Sequence, residues 1–280
     1  MSKNLSWFSK KIVDWLLKEP DFAGTPMCDI DRMRFELKPG DVVLVEGRSR
    51  ISEVIKVITQ TSWTHACLYI GRIYDIEDPD LRHRVLSFYH GDPNEQLIVE
   101  AMLGQGTIVE SITKYRADHL RICRPKGLSP KDGQNVIAYC VDQLGTQYDL
   151  RQILDLARFL FPWTILPRRW RSSLFQHNAG KPTRTVCSSM IAEAFTTVNY
   201  PILPFVEKKD DGTVRLFKRN PKLFSPKDFD YSPYFDIIKY PYLGIDDYSI
   251  YRELPWSQDG VIYNDEKERF TPDKQVTTQN

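Results

Sequence analysis

The chain reads as an α+β protein with a largely antiparallel sheet. Short apolar strands follow one another between helices, without the regular strand–helix alternation of a doubly wound fold. A well-marked helix begins late in the chain at a cysteine, and turn residues separate the pieces. The 280 residues could hold one large domain or two small ones. The composition, 41% hydrophobic and 27% charged, is that of an ordinary globular protein. A net charge of +1 gives no electrostatic footprint for nucleic acid or an acidic partner. Five cysteines without close paired spacing argue against a disulfide framework or a zinc ribbon, so reduced thiols are expected.

Taken in order, Leu5 to Leu17 suits an amphipathic helix, with Phe8, Ile12, Trp15 and Leu16 opposite Lys10, Lys11 and Asp14. Asp14, Lys18 and Glu19 interrupt any secretory core, and no window approaches the apolar length of a membrane span. The expected location is cytoplasmic, with peripheral membrane contact as the alternative. Leu37-Lys38-Pro39-Gly40-Asp41 signals a turn before the strand Val42–Val45. Ser49 caps a helix carrying Ile51, Val54, Ile55 and Ile58 at helical spacing. Trp63–Gly71 is a strand by composition, with His65, Cys67 and Tyr69 on one face and Ala66, Leu68 and Ile70 on the other. Arg72 to Gln96 is polar and reads as a hairpin or long loop.

Leu97–Ala101 is a strand that carries Glu100 inside an apolar run, a burial that is costly without a partner; the bland alternative to a site role is a plain salt bridge to an arginine such as Arg121 or Arg124. Gly104 and Gly106 lead into Thr107–Ile112, and His119–Arg124 is a further strand. Ser129, Pro130 and Asp132 open a helix that Gly145 closes. Leu150 to Phe175 is first apolar, then basic and aromatic, which suits packing, a site cover or a lipid interface. After Tyr200 the periodicity fades among prolines and aromatics, with Lys208–Gly212 as a polar loop tip.

In the last helix, Met190, Ile191, Ala194, Phe195 and Val198 recur at helical spacing, with Cys187 one turn before them on the same inward face. A helix N-terminus favours thiolate over thiol, although a cysteine there can equally be a small core residue. A thiol nucleophile needs a base in reach and a third group to orient that base. His65 and Glu100 could supply these if their strands are adjacent and the Cys187 helix packs across the sheet. Cys67, in mid-strand without a helix terminus, is a weaker rival nucleophile.

At this point the pieces resemble, in order, the permuted papain-like cysteine hydrolases of the YiiX/YebB (YaeF) family, a branch of the NlpC-type superfamily that includes the lecithin:retinol acyltransferase relatives. They are Leu37–Asp41, Trp63–Gly71, Ile98–Ala101, Gly106–Val109, Gly145–Asp149, Val186–Ser189 and, in the tail, Ser225–Phe229. Ordinary papain-like enzymes place the cysteine helix before the histidine strand; here His65 comes first and Cys187 last. The resemblance implies a permuted papain-like fold, its antiparallel sheet packed on the cysteine helix. It implies Cys187 as nucleophile, His65 as base and Glu100 as orienting group, with Tyr148, Asp149 and Ser188 as candidate substrate contacts. No cofactor or metal is implied. The activity implied is cysteine-dependent hydrolysis or acyl transfer at an amide or ester, amidase-like on a small peptide or amide. A lipid ester substrate, or a binding module on the same fold, is the alternative. The domain would span 35–200, with an insertion at 150–182 that is longer and more apolar than such a relative requires. Residues 1–34 precede it as helix and linker. An aromatic-rich appendage at 201–264 and a disordered tail at 265–280 follow.

Overall fold

The computed structural model describes residues 18–19, 28–102, 104–146, 187–241, 243–245, 248–256, 262–263 and 269–270. The helix expected at Leu5–Leu17 and the insertion at 150–182 lie outside these residues, as does the tail apart from Arg269–Phe270, which pairs with Ile262–Tyr263. The elements in order are α1 (Ile30–Glu36), β1 (Val42–Glu46), α2 (Arg50–Thr59), β2 (His65–Gly71), α3 (Pro79–Phe88), β3 (Leu97–Met102), β4 (Gly106–Ser111), β5 (His119–Pro125), α4 (Pro130–Asp142), α5 (Cys187–Thr197), β6 (Phe205–Lys208), β7 (Val214–Phe217), α6 (Pro226–Tyr231) and β8 (Phe235–Ile238). Six strands form one sheet in the order β4-β3-β2-β1-β5-β8, antiparallel at every pairing. The fold is α+β, as the run of strands predicts.

The turn before β1 is made by its residues. Pro39 presets φ at the first corner and Gly40 takes φ +94° at the second, which closes Asp41 N–H onto Lys38 O at 2.9 Å. Asp41 is then buried, and Arg124 holds it by two hydrogen bonds of 3.0 and 2.8 Å. Ser49 and Ser129 cap α2 and α4 through their side-chain oxygens.

The stretch Arg72–Gln96 departs from the expected loop, because it contains α3. Asp78 accepts the Asp80 N–H as N-cap and Pro79 occupies the first turn, a start signal masked by a charge-rich body in which Val85 is the buried residue. Arg84 then ties α3 to the end of α4 through the Val141 and Asp142 carbonyls.

Both faces of the sheet are covered, and strand alternation decides which side chain goes where. Val42, Leu44, Ala66, Leu68, Ile70, Leu97 and Val99 face α4 and α5. Val43, Val45, Cys67, Tyr69, Ile98 and Ile122 face α1 and a 3-10 turn at Ile112–Tyr115. Helix α5 is buried beyond its expected apolar face: Ser188, Ser189 and Ala192 are buried together with Met190, Ile191, Ala194 and Phe195. The residues after Tyr200 join this core. β8 pairs with β5, and Phe229 and Phe235 pack at centroid distances of 6.5 and 5.5 Å from Phe195. The hairpin β6–β7 stands outside the sheet with its residues exposed.

Phe195 is the centre of that aromatic cluster, so truncation leaves a cavity lined by Tyr200, Phe229 and Phe235. Phe195→Ala is expected to lower unfolding free energy by about 3–5 kcal/mol in urea titrations. A loss under about 1 kcal/mol would show that the cluster does not anchor α5.

Candidate active site

The site forms where β2 begins. β2 and β3 pair at Leu68↔Val99, Tyr69↔Ile98 and Gly71↔Leu97, and the ladder stops before His65 and Ala66. Extending the register by one residue sets Glu100 opposite Cys67 and diagonal to His65, within reach of long side chains. The Ala66 N–H, left without a ladder partner at this end, hydrogen-bonds the Cys187 sulfur. Helix α5 packs on one face of the sheet and Glu100 lies on the other. His65 spans the difference at the strand end.

Glu100 is fully buried, as its place inside an apolar strand predicts. Its Oε2 accepts from His65 Nε2 at 2.6 Å, from the Tyr115 hydroxyl at 2.5 Å and from Cys67 Sγ at 3.5 Å. Its Oε1 accepts from Lys114 Nζ. Burial alone would raise the Glu100 pKa. The hydrogen bond and positive charge of His65, joined by Lys114, outweigh burial and hold it at about 2. The alternative of a plain arginine salt bridge does not hold: Arg121 pairs with Asp230 at 2.6 Å and lies over the Trp63 ring, while Arg124 serves Asp41. Lys114 and Tyr115 are the partners the sequence reading missed. Both sit on the 3-10 turn that follows β4, where nothing in their spacing from Glu100 signals contact.

With Nε2 committed to a carboxylate that carries no proton, neutral His65 must bear its hydrogen on Nε2. Nδ1 is then the nitrogen with a free lone pair. The Cys187 thiol is within hydrogen-bonding range of His65. Burial would raise the Cys187 pKa. The His65 charge and hydrogen bond, with the Ala66 and Ser188 N–H groups, bring it below the ordinary thiol value. Burial would likewise lower His65, and the neighbouring Cys187 and Cys67 sulfurs push it well up. Both directions favour a thiolate–imidazolium pair over the neutral pair.

The other four cysteines move the opposite way: burial raises Cys28, Cys123 and Cys140, and takes Cys67 to about 11. Cys67 is thus a thiol donor to Glu100 and a poor nucleophile. Ser188 turns its hydroxyl to the Phe224 carbonyl at 2.8 Å, and only its backbone N–H faces Cys187. Tyr148 and Asp149 lie outside the described residues. The donor atoms of His65, Cys67 and Glu100 lie within 4.8 Å of one another, a set with metal-ligand chemistry. Two ligands on a tetrahedral zinc stand roughly 3.3 Å apart, whereas the 2.6 Å between His65 and Glu100 is a proton-sharing distance and Lys114 supplies the positive charge.

The chain places its histidine strand β2 before its cysteine helix α5, on a mixed helix and antiparallel-sheet scaffold. Residues 36–158 match the family of permuted papain-like amidase enzymes, YaeF/YiiX, C92, in agreement with the resemblance read from the sequence. The matched stretch contains His65 and Glu100 and ends before Cys187. Comparison with curated proteins gives no match. Among solved structures, the chain is similar to the metalloprotein yiiX from Escherichia coli O157:H7, at 14% identity and a TM-score of 0.44, over 74% of this chain and 98% of that one. Among the described residues, no helix is long and apolar enough to cross a membrane.

Two pH responses follow. A lowered thiol pKa keeps thiolate present below the ordinary range near about 8.5. Iodoacetamide at pH 6.5 should therefore alkylate Cys187 before the other four cysteines, and peptide mapping that finds uniform or Cys187-free labelling would contradict the pairing. A carboxylate held at about 2 in the fold, against roughly 4.3 unfolded, stabilises fully above the unfolded value. That contribution is lost as pH falls toward about 2. Glu100→Gln should flatten the fall of urea stability with acid in that window; an unchanged slope would contradict an ionised Glu100.

Proposed function

We propose that the protein is a cysteine-dependent amidase in which Cys187 is the nucleophile, His65 the acid and base, and Glu100 the group that orients His65. The observation that carries this reading is the direction of the thiol shifts. Cys187 alone among the five cysteines is pushed toward thiolate, and the group that pushes it is a histidine tied to a buried carboxylate. The match of residues 36–158 to an amidase family supports the bond type.

The Cys187 thiolate attacks the amide carbonyl carbon, and the carbonyl electrons move to oxygen. N–H groups at the start of α5 receive that oxyanion in this reading, since preorganised donors stabilise developing charge most effectively. Ser188 contributes here through its backbone N–H. Collapse breaks the C–N bond as the His65 imidazolium gives its proton to the leaving nitrogen, which leaves an acyl-thioester on Cys187. Water then attacks the thioester carbon while His65 takes a proton. The C–S bond breaks, the acid is released and the thiolate–imidazolium pair returns. Glu100 stays ionised throughout and stabilises the imidazolium, as the carboxylate of a catalytic triad does. Tyr148 and Asp149 enter as substrate contacts on the strength of the family resemblance.

A lipid ester as acyl donor is the second reading of the same chemistry. Its sequence support lies in Leu5–Leu17 and Leu150–Trp170, outside the described residues, so the amide is preferred. The test incubates the full chain with peptide amides and, separately, phospholipid vesicles, and follows product release and the intact mass. Turnover of amides with a transient acyl adduct on Cys187 is the expected result. Cys187→Ala and His65→Ala should each lower turnover by about a thousandfold or more. Adduct and turnover with the lipid alone would move the function to lipid acyl chemistry. Undiminished activity in Cys187→Ala would overturn the nucleophile.

A further inference from the structure

The buried carboxylate is held by more than the histidine, and the distribution of donors on its two oxygens is unequal. Oε2 receives His65 Nε2, the Tyr115 hydroxyl and Cys67 Sγ. Oε1 receives the Lys114 ammonium, whose side chain is 28% exposed and whose Nζ lies 5.0 Å from the centre of the Tyr115 ring. An ammonium has three donors and no acceptor, so a proton on Oε1 would find no partner there. A proton on Oε2 would face the donors already crowded against it.

We propose that Lys114 is a positioning residue: by capping Oε1 it keeps Glu100 ionised, and so forces His65 into the tautomer that carries hydrogen on Nε2 and offers Nδ1 to Cys187. The inference rests on the reading of Cys187 and His65 given above and adds a residue that touches neither substrate nor sulfur. Its physical content is the alternative that Lys114 suppresses. Without the Lys114 charge Glu100 protonates at higher pH, and a proton on Oε2, the oxygen that faces Nε2, is donated to that nitrogen. His65 would then carry its hydrogen on Nδ1, as a donor aimed at the sulfur, and could not accept the thiol proton. The charge on Lys114 also favours every anion in the cluster, because Coulomb attraction in a buried site is poorly screened.

The groups that face Glu100 are accounted for on each element. β2 supplies His65 and Cys67, and the 3-10 turn supplies Lys114 and Tyr115. α5 supplies Cys187 through His65, and Asp118, just before β5, lies close enough to feel Lys114. Asp118 is itself paired with Arg48 at 3.4 Å. Among the charged groups whose contacts with Glu100 are described, Lys114 is the cation other than His65.

The test is the pH profile of Cys187 alkylation by iodoacetamide, read by peptide mapping from pH 3 to 9, in the wild type, K114M and K114R. An adjacent cation lowers a carboxyl pKa by about 1–3 units, so its loss lets Glu100 protonate at higher pH. The acidic limb of K114M should therefore move upward by about one pH unit or more, and K114R, which keeps the charge, should restore it. A structural role alone would lower melting temperature or labelling amplitude without moving the limb. A depressed wild-type midpoint that K114M leaves in place overturns the role of Lys114 alone. A wild-type midpoint near about 8.5 overturns the reading of Cys187 beneath it. Should K114M not fold, the same comparison of K114Q with K114R decides the matter.

Discussion

The structure of this site depends on one buried carboxylate. An ionised group taken from water costs several kcal/mol unless the fold returns equivalent partners. Glu100 recovers them from His65, Tyr115, Lys114 and Cys67. Two strands and the turn after β4 must therefore hold their places for the charge to be tolerated. The same contacts fix the ring of His65, and through it the electrostatics of Cys187. Stability and chemistry draw on one set of hydrogen bonds, which is why removal of a single donor acts on both.

The sheet makes this geometry available because it is buried on both sides. One face carries α4 and α5 with the thiol, and the other carries α1 and the polar cluster around Glu100. Side chains on opposite faces of a sheet do not ordinarily meet. Here the β2–β3 ladder ends early, which exposes the Ala66 N–H to the sulfur and lets His65 serve both sides. The burial of α5 on most of its circumference, by the sheet, α4 and the segment around Phe224, holds Cys187 at that opening.

Much of the scaffold was legible in the sequence because its signals are local. Pro39-Gly40, Ser49, Ser129-Pro130 and the alternation of β2 each act over a few residues, and each element appears where they put it. A carboxylate in an apolar strand predicted a buried charge at Glu100, and the helical spacing after Cys187 predicted its inward face. What sequence reasoning missed depends on contacts distant in the chain or on weak periodicity. α3 hides its Asp78-Pro79 start behind a charged body. β8 is four residues long and gains its place by pairing with β5 across a long separation. Lys114 and Tyr115 look like ordinary turn residues until the β3–β4 hairpin brings them over Glu100. The β5 arginines Arg121 and Arg124, closer in sequence pattern to a simple salt bridge, pair with Asp230 and Asp41 instead.

The chemistry of Cys187 depends on which nitrogen of His65 holds the hydrogen. The direct measurement is a nitrogen-15 NMR spectrum of the imidazole in Cys187→Ala, where no thiolate remains to keep the ring charged. At a pH where the ring is neutral, the account predicts hydrogen on Nε2 and a bare Nδ1. Hydrogen on Nδ1, with Nε2 accepting from a protonated Glu100, would contradict it.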